Sequence, residues 1–286
     1  SVHHLLVEPG LSSEYKIFNT SYALYLAVLG SMIHGLTVPG AVEAAQRKKG
    51  YNKGLFEWLR KAPWGNPAFS AFALSVVLFG FLGGITGVMM GTEQLNIIVH
   101  NTLYVPGHFH GTVVVGTTLA FMAMSYWLVP TLWQKELFLP GLAKWQPYMF
   151  GLGMAAVSTF MMGAGTLGVP RRHWDMGFAD ATMGYDFPAA AYLMMGLNGV
   201  AALIAGVGGF IFILNMVGTI LWGKPKVAKA PEPAAEPIAA GPVASYGGAG
   251  TMEVPGTFML AMIFLASFIL YYFVNWKYLA SVWGLA

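Results

Sequence analysis

The chain contains no cysteine. That excludes disulfides, Cys-ligated zinc, iron–sulfur clusters, covalently attached c-type haem and a thiolate copper centre within these residues. Any metal must be held by histidine, carboxylate, methionine or tyrosine. Charge is scarce as well: Asp, Glu, Lys and Arg make up 9% of the 286 residues, against about 25% in an ordinary soluble protein. With 56% hydrophobic residues and a mean hydropathy of +0.60, this is an integral membrane protein. No P-loop, no strand–helix G-x-G-x-x-G and no internal repeat is found. No signal peptide is visible in these residues, and residue 1 is Ser rather than Met. The chain therefore reads as the latter part of something longer, or as a processed piece.

What is present is apolar sequence in long runs. Runs of roughly 20 apolar residues mark membrane-crossing helices. Six are read, at 16–43, 66–90, 102–131, 146–168, 187–222 and 255–283. The expected fold is an all-α polytopic membrane helix bundle of about six transmembrane helices. The 36 glycines suit close helix packing. Residues 1–223 form a five-helix bundle, 224–251 a flexible linker rich in Pro, Ala and Gly, and 252–286 a final helix. The lysines of the linker (Lys224, Lys226, Lys229) give no reason to expect nucleic acid. If the spans alternate, these three join Arg47, Lys48, Lys49, Lys53, Arg60, Lys61, Lys135 and Lys144 on one side. Only Lys16, Arg171, Arg172 and Lys277 fall on the other. Positive charge collects in the cytoplasm, which sets the orientation of the multi-pass chain. The Met and aromatic residues are core filler and interfacial belt.

Three of the seven histidines lie in Val99-His100-Asn101-Thr102-Leu103-Tyr104-Val105-Pro106-Gly107-His108-Phe109-His110. On a helix with about 3.6 residues per turn, positions i and i+2 sit roughly 200° apart. His108 and His110 therefore cannot share a metal, though each can bind a different one; two ordinary buried histidines are the plainer alternative. Pro106 fits a first helical turn and Gly107 permits close backbone approach. Arg171 and Arg172 run against the positive-inside trend, and arginine near a membrane is expensive unless paired. Carboxylates suit them, as do lipid headgroups or the nearby Asp175 and Asp180.

The string V-H-N-T-x-x-V-P-G-H-F-H resembles the helix of haem–copper oxygen reductase (cytochrome c oxidase) subunit I that carries both haem irons, in wording nearest the B-type branch. The order His3-His4, Glu8-Pro9-Gly10, Gly54-Leu55-Phe56-Glu57-Trp58-Leu59-Arg60 and Pro63-Trp64-Gly65-Asn66-Pro67-Ala68-Phe69 resembles the same subunit from its copper-binding pair onward. The similarity runs over the chain but only over the latter half of that subunit. It implies His3 and His4 on the active-site copper (CuB), His108 on a high-spin haem iron and His110 on a low-spin haem iron. A frayed terminus is the alternative for the first pair. The similarity also implies Arg171, Arg172, His100 and Asn101 against the haem propionates, with a surface role open for the last two. Ser31 and His34, three apart in the first span, would belong to a proton path if the alignment is shifted by one residue. Asn96 stands where relatives of this branch often carry Asp.

The third copper histidine, the tyrosine linked to it and the second low-spin ligand come from upstream helices in the family. The implied partners are thus an N-terminal half of subunit I, a subunit II with a dinuclear copper site and a cytochrome c donor, in membrane lipid. The implied place is a prokaryotic plasma membrane. Nitric-oxide reduction on the related fold and a transporter or channel with pore histidines are the competing readings.

Overall fold

The computed structural model describes residues 9–19, 22, 24–172, 186–227 and 253–282. The helices are α1 (Ser13–Phe18), α2 (Leu24–Lys48), α3 (Glu57–Arg60), α4 (Pro67–Gly91), α5 (Glu93–Val99), α6 (Tyr104–Leu132), α7 (Pro140–Thr166), α8 (Ala189–Trp222) and α9 (Pro255–Val282). Among the described residues no β-strand forms. Five helices are long and apolar enough to cross a membrane: α4, α6, α7, α8 and the Pro255–Val274 part of α9. The expected first span appears as α2, a 25-residue helix that starts later than residue 16 and runs on through Lys48.

Local chemistry sets the boundaries. At the start of α4, Asn66 accepts from the N–H groups of Ala68 and Phe69 at 2.9 and 3.3 Å, and Pro67 takes the first helical position. Inside α4 and α6 the helix widens into π-helical stretches, Phe79–Ile85 and His110–Thr118. The two stretches face each other. A Cβ on Gly111 would lie 2.6 Å from the Leu82 carbonyl oxygen, so only glycine permits the approach. Such stretches are rare and often mark functional sites.

The first turn of α6 is braced from behind by α7. A Cβ at Gly107 would lie 2.7 Å from the backbone nitrogen of Met162, and one at Gly165 would overlap the backbone of Tyr104. Ser158 seals the contact by donating to the Gly107 carbonyl at 2.7 Å. The helix that carries His108 and His110 is thus held backbone against backbone.

Among the described residues, helix α9 packs mainly against α2 and the middle of α4, not against α8, its neighbour in sequence. Its first turn is capped by Glu43 of α2, which accepts from Gly256 N, Thr257 N and Thr257 Oγ1 at 3.0, 2.6 and 2.8 Å. Arg47 closes the clasp on the same carboxylate at 2.7 Å. Further along, Phe264, Phe268 and Tyr272 pack on the cluster that includes Met89, Leu95 and Tyr104. Many apolar side chains of α2 face outward, among them Leu26, Leu29, Met32, Ile33 and Leu36. Such a face suits lipid or another helix.

Candidate metal centre

His108 is buried, at 6% exposure, and lines a cavity of about 620 Å³ between α2, α4 and α6. Its Nδ1 lies 2.8 Å from Thr86 Oγ1 on α4. Thr86 donates its only hydroxyl proton back into its own helix, to the Leu82 carbonyl. The oxygen must therefore accept from the ring, and the lone pair of His108 falls on Nε2. His110 reaches the same tautomer by another route: its Nδ1 lies 2.7 Å from the Pro106 carbonyl, which can only accept. His110 does not line the cavity. The two rings leave α6 on different sides, as their spacing requires.

The α4 side of the cavity, against which the His108 ring rests, is rich in glycine. Gly83, Gly84, Gly87 and Gly91 of α4 all line it. A Cβ at Gly87 would meet His108 Cε1 at 3.0 Å, whereas one at Gly84 would meet nothing nearer than 3.9 Å. A flat, bulky group fits beside a wall that lacks side chains, with the His108 ring among the residues that line it.

The rim of the cavity is polar. Residues after α5 and α7 lie side by side: Leu103 N donates to the Val169 carbonyl at 2.8 Å and Arg171 N to the Asn101 carbonyl at 2.9 Å. The Arg171 guanidinium also holds Asn101 Oδ1, at 3.1 Å from Nε and 2.7 Å from Nη2. Asn101 takes a left-handed φ of 61° to make this turn. His100 and Arg171 both line the cavity. Burial, then the charge of Arg171, lowers the His100 pKa, so this ring stays neutral beside the guanidinium. The rim thus presents one fixed positive charge and neutral donors, an arrangement that suits a carboxylate.

Residues 1–199 match the family described as "Cytochrome C and Quinol oxidase polypeptide I". This chain belongs to that family. It is 37% identical over 241 residues to cytochrome c oxidase subunit 1 of Thermus thermophilus, covering 82% of this chain and 41% of that protein. It is 28% identical over 154 residues to an alternative cytochrome c oxidase subunit 1 of Bradyrhizobium diazoefficiens, covering 54% of this chain and 25% of that protein. A solved structure described as a heme-copper terminal oxidase dimer superposes with a TM-score of 0.70 at 29% identity, over 81% of this chain and 43% of that one. The chain therefore spans about two fifths of the first relative and of the solved chain, and it is a multi-pass membrane protein of the haem–copper oxidase subunit I family.

The other sequence-level candidates of this subunit I chain fall as follows. Ser31 lines the cavity from α2. His34 does not; it is exposed and its Nδ1 lies 2.8 Å from the Gly30 carbonyl. Arg172 is exposed, with a left-handed φ of 67°, and does not line the cavity. Asn96 does line it, and donates to the Met90 carbonyl at 2.7 Å. His3 and His4 lie outside the described residues. Among the described residues, no three His, Cys or acidic side chains converge on one point. Thr86 and Gly87 were not singled out in the sequence, although a lone hydroxyl in the run Phe79-Gly80-Phe81-Leu82-Gly83-Gly84-Ile85-Thr86-Gly87 was the available signal.

Proposed function

We propose that this chain is the haem-bearing part of a terminal respiratory oxidase subunit I in a prokaryotic plasma membrane. In it His108 holds the iron of a high-spin haem in the cavity and His110 holds the iron of a low-spin haem on the other side of α6. His3 and His4 supply two of the copper ligands. When bound, the two haems and the copper would supply the redox chemistry for reducing dioxygen to water with electrons from a cytochrome c, received through a subunit II copper site and coupled to proton translocation. An N-terminal half of subunit I completes the ligand set.

The observation that carries this reading is the pair of imidazoles on one braced helix, each with Nδ1 engaged, one by the Thr86 hydroxyl and the other by the Pro106 carbonyl. Orientation through the second nitrogen is how metal-binding histidines are generally held. Arg171, with Asn101 and His100 around it, fixes propionate charge at the rim, and Arg172 extends the positive charge into solvent. Ser31 brings a hydroxyl to the inner cavity as part of a proton path, with His34 one turn further along α2. Gly87 keeps a methyl group out of the space beside the His108 ring.

Two expected outcomes follow for the purified complex that contains this chain. His110→Ala removes the low-spin band from the reduced-minus-oxidised spectrum while the carbon monoxide difference signal remains. Loss of the carbon monoxide signal instead would reverse the two ligand roles. Gly87→Ala crowds the Cε1 edge of the His108 ring and shifts the carbon monoxide difference spectrum with the low-spin band in place. An unshifted spectrum would mean that the ring does not rest against α4.

A further inference from the structure

We propose that Thr86 is a positioning residue for His108. Its hydroxyl oxygen fixes the rotation and tautomer of the ring and strengthens electron donation from Nε2. The proposal rests on the assignment of His108 to the high-spin haem iron, and it concerns a side chain 22 residues away on another helix.

The geometry leaves Thr86 one way to act. The side chain is 1% exposed. Its proton is committed to the Leu82 carbonyl, with the Gly83 carbonyl at a longer 3.4 Å. A hydroxyl has a single proton, so the 2.8 Å contact with Nδ1 is a bond that the ring donates. Because the hydroxyl is itself donating, its oxygen is a better acceptor than it would be alone. The π-helical stretch Phe79–Ile85 ends at Thr86 and delivers this hydroxyl to α6. Gly87, the next residue, then leaves room for the Cε1 edge of the same ring. Thr86 is β-branched, so its hydroxyl has few rotamers through which to wander.

The two imidazoles of α6 therefore have unlike acceptors. His110 donates to a backbone carbonyl and His108 to a side-chain hydroxyl. Hydrogen bonding at the far nitrogen is one of the levers on a bound iron's electronics. A side-chain acceptor makes the lever at His108 one that a single substitution can remove.

The test uses Thr86→Val, which keeps the shape and removes the acceptor, and Thr86→Ser, which keeps the acceptor. Both are made in the purified complex that contains this chain, with the low-spin band as the control for folding. The readouts are the iron–histidine stretching frequency of the reduced, CO-reactive haem and its midpoint potential. For Thr86→Val the expected result is a lower stretching frequency and a higher potential, with Thr86→Ser at the wild-type values. Thr86→Val at the wild-type values, or Thr86→Ser shifted as far as Thr86→Val, would overturn the proposal. A His108→Ala control separates the two readings. If it keeps the CO-reactive haem, the ligand assignment falls and Thr86 with it; if it loses that haem while Thr86→Val changes nothing, only the role of Thr86 falls.

Discussion

Replacing His108 with Ala yields a complex without a carbon-monoxide-sensitive absorbance and with oxygen consumption reduced more than about 100-fold. Losing only an outer-shell partner of a metal ligand already costs about 10–100-fold, and the ligand itself costs more. The expectation follows from burial: His108 is the one histidine of α6 that lines the cavity. The change should leave the fold in place. α6 is anchored by Ser158 on the Gly107 carbonyl and by the backbone contact at Gly165, neither of which involves the ring. The low-spin band on His110 should therefore persist. A carbon monoxide signal of wild-type size in this variant would remove His108 from the site.

Glu43→Ala should detach α9 from the rest of the bundle. The carboxylate is fully buried and accepts from two backbone N–H groups, a threonine hydroxyl and Arg47. Removing one member of a buried ion pair costs about 3–5 kcal/mol. The low end applies, because Arg47 keeps contact with solvent at 19% exposure. Thermal unfolding followed by loss of haem absorbance should show an earlier transition, and limited proteolysis should release a fragment that contains α9. Glu43→Gln, which still accepts but carries no charge, should fall between the two. Unchanged unfolding and digestion in Glu43→Ala would show that the apolar contacts of Phe264, Phe268 and Tyr272 suffice to dock the helix.

Most of the span positions were legible in the sequence. The readings 66–90, 102–131 and 187–222 lie within two residues of Pro67–Gly91, Tyr104–Leu132 and Ala189–Trp222. Apolar runs that end at Pro, Gly or charged residues leave little freedom there. The sequence reading starts this span at 146 and leaves Lys144 in the preceding loop. The helix begins at Pro140, a residue suited to its first turn. The π-helical stretches were not legible, since one extra residue per turn does not disturb a run that is apolar throughout.

The site divides along the same line. The opposed placement of His108 and His110 on one helix was legible because it depends only on local spacing. The acceptor on Thr86, the Arg171–Asn101 pair 70 residues apart and the Glu43 clasp, more than 200 residues apart, were not. Each depends on which segments become neighbours in the fold, which no local run of sequence specifies. Ser31 and His34 show the converse. They share a helix face, yet Ser31 lines the cavity and His34 does not, a difference set by what packs beside α2 and not by their spacing.

The account stands on two irons held separately by one helix, and the most direct measurement is a count. Haem is extracted and quantified from the purified complex, and the reduced protein is titrated with carbon monoxide. The prediction is two haems for each copy of this chain, with one carbon monoxide bound for every two haems. A single haem per chain, or carbon monoxide bound by neither or by both, would contradict it.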